Sequence, residues 1–176
     1  MRMKKIIVGI LAAGCVFATS MLMPSVGQAQ DAAAKVKTAM ELLKSKAGKL
    51  GPAKVEGTDP VNDKPVPAVY FGGTKMNNNY TLVDEVTKEV GGTATIFVKS
   101  GDEFVRVATN VKKDDGSRAT GTILDPNGKA IEAIKKNEAY YGEANILGKP
   151  YITGYEPIRD ASNNVLGIYY VGYFKD

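Results

Sequence analysis

A run of short elements fills residues 91–172 and limits the folds that the chain can adopt. Two strand-like stretches and a polar loop occupy GGTATIFVKSGDEFVRVATNVKKDDGSRATGTILD. A turn and a short helix follow in LDPNGKAIEAIKKN, with Ile131 and Ile134 on the inward face. Three further strands lie within YYGEANILGKPYITGYEPIRDASNNVLGIYYVG, and a turn joins the last two. This order predicts an α+β fold.

The first thirty residues predict the compartment. Three basic residues precede an apolar run over residues 6–23, and Gly27 and Ala29 then supply the small side chains that a signal peptidase requires. We predict a cleaved signal peptide over residues 1–29 and therefore a periplasmic or secreted protein. Two alternatives remain open. LAAGC, ending at Cys15, resembles a lipoprotein box, although the apolar run continues past it, and the run is just long enough to be an uncleaved membrane anchor.

Removal of this leader leaves a length that is typical of one domain. We predict an N-terminal helix over residues 30–52 and a single domain over residues 53–176. Most of the formal net charge of +4 comes from the leader, which argues against nucleic acid as a partner. The one cysteine, Cys15, leaves with the signal peptide, so thiol redox chemistry is excluded.

The predicted N-terminal helix carries one narrow apolar stripe between Asp31, its expected cap, and Gly51-Pro52, its expected end. The stripe residues recur at spacings of four and three: Val36, Met40, Leu43, Ala47 and Leu50. We expect this stripe to pack on the sheet of its own domain. Five lysines decorate the other faces, and the spacing also fits a heptad, so a homodimer formed through this helix is the alternative.

The next stretch alternates between turn-forming and periodic segments. Residues 52–67 hold four prolines and predict a loop, and residues 66–71 predict a short strand. A second amphipathic helix is predicted to end at Gly91-Gly92. Its apolar residues have helical spacing: Leu82, Val83, Val86 and Val90.

Arg106 is the first candidate for a binding residue. Strand alternation over residues 103–109 places it beside Phe104 and Ala108, on a mostly apolar face. Burying a guanidinium among apolar side chains is unfavourable in free energy unless an anion pairs with it. That anion is either a carboxylate of the protein or one that a ligand brings, and the residues themselves leave both open.

A second candidate surface lies on the strand over residues 150–158. A period of two places Tyr151, Thr153 and Tyr155 on one face, opposite Ile152 and Gly154. Tyrosine combines a rigid apolar body with a hydroxyl donor, which suits a small carboxylate or amine in a partly dry pocket. The same tyrosines would also serve simply to pack a half-buried strand.

The amino-acid sequence of these segments resembles that of the single-Cache extracytoplasmic sensor domains of the Cache type 3/type 2 fusion kind. The resemblance is carried by GGTATIFVKSGDEFVRVATNVKKDDGSRATGTILD, YYGEANILGKPYITGYEPIRD and VLGIYYVGY, with weaker pieces VPAVYFGG and NNYTLVDEV. It implies a PAS-like fold, in which a central antiparallel sheet carries a long N-terminal helix and shorter covering helices. These domains sense solutes outside the membrane for chemotaxis receptors and sensor kinases.

The resemblance also implies a ligand and a site. The expected ligands are short organic acids, amino acids or related metabolites, bound between the sheet and its covering loops and helix. The strand GKPYITGYEPI would help to line the cavity, and DGSRATGT would lead into its rim. On that basis Arg118, Thr120 and Lys149 join Arg106, Tyr151, Thr153 and Tyr155 as candidate ligand-binding residues.

The expected partner follows from the same comparison. Family members usually continue into a second membrane helix and cytoplasmic modules, whereas this sequence stops at Asp176. We therefore expect ligand occupancy to be passed to a membrane receptor or sensor kinase.

The residues argue against an enzyme. The chain has no histidine, and its one cysteine lies in the predicted leader, which removes the commonest general base and the best metal ligands. No phosphate-binding motif is present, and no cofactor or metal is predicted. The alternative to a sensor is a structural or protein-interaction module with the same fold, in which large apolar side chains fill the pocket.

Overall fold

The computed structural model describes the backbone of residues 26–175 and the side chains of residues 30–175. In this range the helices are α1 (Val26–Leu50), α2 (Thr81–Val90) and α3 (Lys129–Lys135). The strands are β1 (Ala53–Val61), β2 (Lys64–Phe71), β3 (Thr74–Lys75), β4 (Thr93–Ser100), β5 (Glu103–Thr109), β6 (Tyr140–Ile146), β7 (Lys149–Arg159) and β8 (Val165–Phe174). The predicted signal peptide lies outside the described residues, apart from the backbone of residues 26–29.

Two antiparallel sheets organise the described chain. The larger has five strands in the order β5-β4-β8-β7-β6, and the smaller has the order β1-β2-β3. All neighbouring strands run antiparallel. The order of two strands, a loop, a helix and three strands is as predicted, and the α+β, PAS-like fold is confirmed.

Helix α1 lies across one face of the larger sheet. Its stripe residues Val36, Met40, Leu43 and Ala47 are buried with the apolar side chains of that face, so the predicted packing within the domain is confirmed. The approach is close at Gly154 of β7, where an added Cβ would lie 2.9 Å from a methyl carbon of Val36. The glycine therefore lets the helix settle directly on the strand.

A polar contact also ties α1 to the sheet. Lys44 pairs with Glu156 of β7 at 2.5 Å, and the Tyr141 hydroxyl of β6 donates to the same carboxylate. Burial alone would raise the pKa of Glu156, but the Lys44 ammonium and the Tyr141 hydroxyl together hold it below its ordinary value. Helix, central strand and edge strand therefore share one charged hydrogen-bond group.

The predicted start of this helix is wrong. Helix α1 is already formed at Val26, so Asp31 is an interior residue and not its cap. The Asp31 carboxylate instead pairs with Lys35 one turn later, at 2.7 Å. Leu50, the last residue of the predicted stripe, is 40% exposed because the helix ends there.

The predicted loop over residues 52–67 is also wrong, because this stretch forms β1 and the first half of β2. Its prolines are tolerated because the small sheet leaves backbone edges open. Pro60 faces Pro65 across the β1–β2 hairpin, and β3 pairs only with Tyr70 and Phe71. A proline, which has no N–H, fits a strand edge where no ladder bond is required.

The two faces of the larger sheet support two separate apolar cores. One lies under α1, α2 and the small sheet, and the other lies under α3 and the segment before it. In β5 the predicted alternation holds up to a bulge opposite Ile96 and Phe97. The bulge shifts Ala108 from the face of Phe104 to the core of Val105 and Val107. Arg106 stays on the face covered by α3.

Leu43→Ala tests the packing of α1 on its own sheet. We expect a loss of about 2–5 kcal/mol in the free energy of unfolding, because Leu43 is fully buried and its removal leaves a cavity. Urea unfolding measures this loss. Leu50→Ala in the same helix is the matched control and should change stability by under about 0.5 kcal/mol. If Leu43→Ala instead leaves monomer stability unchanged and dissociates a dimer, the packing account of this helix is wrong.

Candidate binding site

A cavity of about 300 Å³ opens on the face of the larger sheet that α3 covers. Strand β5 contributes Arg106 and β7 contributes Tyr155, while β6 and residues 124–130 close the sides. The cavity forms because α3 is only seven residues long and covers part of this face. The cavity therefore brings together Arg106 and Tyr155, which the sequence analysis selected separately.

Arg106 is 4% exposed and forms part of the buried floor of the cavity. Its Nη1 atom donates to the Thr122 hydroxyl at 2.7 Å and approaches the Ile123 carbonyl oxygen at 3.5 Å. The backbone of Arg106 also bonds with this segment, through the Thr122 carbonyl and the Gly121 amide. The arginine is thus held from one side by the segment that follows Arg118 in the chain.

The opposite edge of the Arg106 guanidinium has no acceptor among the described residues. Its Nε atom is fully enclosed without a hydrogen-bond partner, and Nη2 makes no hydrogen bond either. No described carboxylate lies within ion-pair distance of it, and the Phe97 ring lies 4.9 Å from the guanidinium carbon. Burial lowers the pKa of Arg106, but a guanidinium remains charged at neutral pH.

Tyr155 places a second donor beside this charge. The side chain is 1% exposed, and its hydroxyl makes no hydrogen bond with the residues that the structure describes. Burial raises the pKa of Tyr155, and the neighbouring Tyr170 raises it further, so the phenol stays protonated. The neutral phenol of Tyr155 and the free side of the Arg106 guanidinium are both hydrogen-bond donors. The floor of the cavity is therefore suited to a ligand group that accepts hydrogen bonds.

The walls above this floor are mostly apolar, and the rim is charged. Leu124, Ala130 and Ile146 are buried wall residues, and the Tyr140 ring lies 6.2 Å from the Tyr155 ring. The Tyr140 hydroxyl donates to the Glu143 carbonyl oxygen at 2.7 Å. The exposed rim carries the polar and charged side chains of Asp125, Asn127 and Lys129. The Glu143 side chain alternates to the other face of β6, where it pairs with Lys175.

Arg118 lies away from this cavity, on the other side of the segment that holds Arg106. It forms a two-pronged pair with Asp84 of α2, with distances of 2.7 and 2.8 Å, and donates to the Thr109 carbonyl oxygen. Its guanidinium also stacks on the Tyr80 ring at 4.4 Å. The hydrogen bond that Arg118 donates to Asp84 is the main reason that the pKa of Arg118 is raised. Its position ties the loop to α2.

The remaining candidates from the sequence also lie outside the lining of this cavity. Thr120 is buried beside the Tyr80 hydroxyl, and its carbonyl accepts from Asn62. Lys149 is exposed at a hairpin end, 3.5 Å from Asp114. The Thr153 hydroxyl donates to the Gly142 carbonyl oxygen within the sheet, and the Tyr151 ring packs edge-on against Phe174.

A second cavity, of about 350 Å³, lies between the end of α1 and the start of α2. Lys46, one of the two lysines in its lining, is already paired with Glu85 and Glu89. Arg106, whose Nε atom is the buried unpaired polar atom of the described chain, lines the other cavity. The smaller cavity is therefore the better candidate for a binding site.

The comparisons with known proteins agree with the fold. The family model of the Cache 3/Cache 2 fusion domain matches residues 19–176, and the chain belongs to this family. No curated protein matches it. Helix α1 is too polar to span a bilayer, and the shorter helices of residues 26–175 do not span one either.

Two similar solved structures are sensory domains of one chemoreceptor. They are the ligand-binding domain of Campylobacter jejuni chemoreceptor Tlp3 in complex with L-valine and the sensory domain of the same receptor. Both share 11% sequence identity with this chain, have a TM-score of 0.40 and cover 84% of it. The match covers 60% and 61% of those two chains.

Arg118→Met tests the structural contacts of Arg118. We expect stability to fall by about 1 kcal/mol, because the variant loses a partly exposed ion pair and a stacking contact. For a domain of this size the midpoint of thermal unfolding should fall by about 2–4 °C. Asp84→Asn is the matched partner variant, and the double variant should show less than the sum of the two losses. Additive losses would show that the pair contributes no coupling.

Proposed function

We propose that this chain is a non-enzymatic sensory domain that binds a small carboxylate ligand in the cavity of Arg106 and Tyr155. The proposed ligands are short organic acids, amino acids or related metabolites. The observation that carries this proposal is the buried guanidinium of Arg106, which has one edge without an acceptor and opens on a cavity.

A buried charge without a counter-ion is energetically unfavourable. Moving a cation out of water is unfavourable by several kcal/mol unless paired groups replace its hydration. Arg106 has part of that replacement from Thr122 and Ile123, on the Nη1 side only. A ligand carboxylate that reaches Nη2 from the cavity would supply a charged partner on the other side.

Tyr155 would complete the recognition of the anion. Its protonated hydroxyl lies in the same cavity and has no acceptor in the described chain. The rings of Tyr140 and Tyr155 would then enclose the apolar part of a small ligand. This division, with a few polar groups on an apolar lining, is typical of small-molecule sites.

The cellular setting belongs to the same proposal. A signal peptide over residues 1–29 would deliver the domain to the periplasm or the outside of the cell. There, ligand occupancy would be passed to a partner, a membrane receptor or sensor kinase, in chemotaxis or another signalling route. Membership of the Cache 3/Cache 2 fusion domain family supports this setting.

The alternative, a protein-interaction module without a ligand, requires a filled pocket. Large apolar side chains would then occupy the space in front of Arg106. The cavity of about 300 Å³ with convergent donors favours the sensory function over this alternative.

Arg106→Met tests the proposed function. We expect the variant to lose the rise in unfolding midpoint that short carboxylates produce in the parent protein, because binding to the native state raises its stability as ligand concentration increases. Without ligand, the variant should be as stable as the parent or more so, by up to about 2 kcal/mol, because it no longer buries an unpaired charge.

The matched control is Arg118→Met, which removes the other loop-associated arginine. That variant should be less stable without ligand but should keep the ligand-dependent rise. Differential scanning fluorimetry and calorimetric titration measure both effects. A parent protein that binds no member of a panel of short carboxylates and amino acids would refute the proposal.

A further inference from the structure

One asparagine at the rim of the cavity is followed by a glycine. Asn127 is the only asparagine of the sequence that precedes glycine, in the segment DPNGK that leads into α3. Asparagine is thermally labile because the backbone nitrogen of the next residue can attack its side-chain amide carbon. Glycine at that next position favours the attack, since it has no Cβ and leaves the backbone free to rotate. Asn127 and Gly128 therefore combine a labile amide with an unhindered nucleophile.

The surroundings leave the Asn127 side chain free to react. Asn127 is exposed in the turn before α3, and its side-chain amide makes no hydrogen bond with the residues that the structure describes. Among the described asparagines this holds otherwise only for Asn163, because the side chains of all the others donate or accept such a bond. The attacking nitrogen, that of Gly128, makes one long bond of 3.3 Å to the Asp125 carbonyl oxygen.

From these observations we infer that Asn127 is a site of spontaneous deamidation, and that its conversion weakens carboxylate binding in the adjacent cavity. The Gly128 nitrogen loses its proton to solvent and bonds to Asn127 Cγ, and the side-chain nitrogen takes up a proton and leaves as ammonia. The resulting cyclic imide is opened by water. Cleavage between the Gly128 nitrogen and Cγ gives aspartate, and cleavage between that nitrogen and the main-chain carbonyl carbon gives isoaspartate. The net reaction consumes one water and releases one ammonia.

Either product changes the charge at the rim. Beside Asn127 the rim carries one carboxylate, Asp125, and one ammonium, Lys129, so the formal charges there cancel. A carboxylate at position 127 is ionised at neutral pH and gives the rim a net negative charge, which repels an anion that enters the cavity. This part of the inference rests on the proposed function, because it takes the ligand to be an anion bound at Arg106.

The isoaspartate product also changes the backbone. In isoaspartate the main chain runs through the former side-chain carbons, which adds one methylene group to its length. That insertion would fall directly before Gly128, which caps the start of α3, and the buried Ala130 of the same helix lines the cavity. The position of α3 over the cavity would therefore shift. We expect the isoaspartate form to bind a carboxylate more weakly than the aspartate form.

Timed incubation of the purified protein in a mildly alkaline buffer tests the modification. Trypsin releases residues 119–129, a peptide in which Asn127 is the one asparagine and which contains no glutamine. We expect the mass of this peptide to rise by about 1 Da and the product to separate into aspartate and isoaspartate forms by chromatography. Asn163 is the internal control, because its amide is also unbonded but precedes Asn164. It should react about fivefold more slowly or less.

Gly128→Ala is the diagnostic variant. An added Cβ at position 128 would lie 3.5 Å from the nearest atoms of Asp125, an ordinary contact, and the φ of Gly128 is −82°, so the fold is retained. The methyl group hinders the attacking nitrogen, and deamidation of Asn127 should slow by about tenfold or more. The inferred site is wrong if Asn127 reacts no faster than Asn163, or if Gly128→Ala reacts at the rate of the parent protein.

Asn127→Asp tests the link to binding by calorimetric titration with butanoate. We expect the dissociation constant to rise by about two- to fivefold at low salt and by less at high salt, which screens the added charge. Asn163→Asp is the matched control, because it adds the same charge in the turn between β7 and β8, outside the lining of the cavity. That control should leave the affinity unchanged.

The outcomes separate this inference from the proposed function. If butanoate binds the parent protein and Asn127→Asp equally tightly at low salt, the link to binding is wrong and the carboxylate site stands. If no short carboxylate binds the parent protein, the proposed function and the link to binding both fail. The mass measurement decides the deamidation site in either case, because it requires no ligand.

Discussion

The five-stranded sheet has two apolar faces, and the architecture follows from the need to cover both of them. One face is closed by α1, α2 and the small sheet, where the stripe of α1 is fully buried. The other face is covered by the seven residues of α3 and by the segment before it. Since so short a helix covers only part of a sheet face, a cavity remains beside it. The cavity proposed as the binding site is therefore a direct result of unequal coverage.

Arg106 lies in this gap and places a positive charge at the floor of the cavity. An apolar side chain at the same position would extend the core of Phe104 and Ile168, at no cost in desolvation. The buried guanidinium is instead held from one side, by Thr122 and Ile123, so its free edge is fixed in direction. A donor fixed before the ligand arrives loses little conformational entropy on binding. On the proposed function, the unpaired charge lowers stability in exchange for ligand recognition, as strained or unpaired groups at functional sites generally do.

Local periodicity predicted most of the elements, and its failures have identifiable causes. The stripe of α1, the strand order and the position of Arg106 on an apolar face all follow from spacing. The β1 strand was missed because its prolines lie on open edges, which only the sheet pairing reveals. The sequence around Arg118 did not indicate its partner, because Asp84 lies on a different element. The rim residue Asp125 was missed because nothing in its own segment indicates that it lies beside a cavity.

The central claim is that Arg106 offers an unpaired guanidinium edge to a carboxylate. It is tested most directly by the NMR signal of the arginine Nε–H group, since the chain has few arginines and Arg106→Met assigns the resonance. On titration with butanoate or another short carboxylate, the account predicts that the Arg106 signal moves, while the Arg118 signal stays in place. Ligand-induced stabilisation of the protein with an unchanged Arg106 signal would contradict the account, because the ligand would then bind elsewhere.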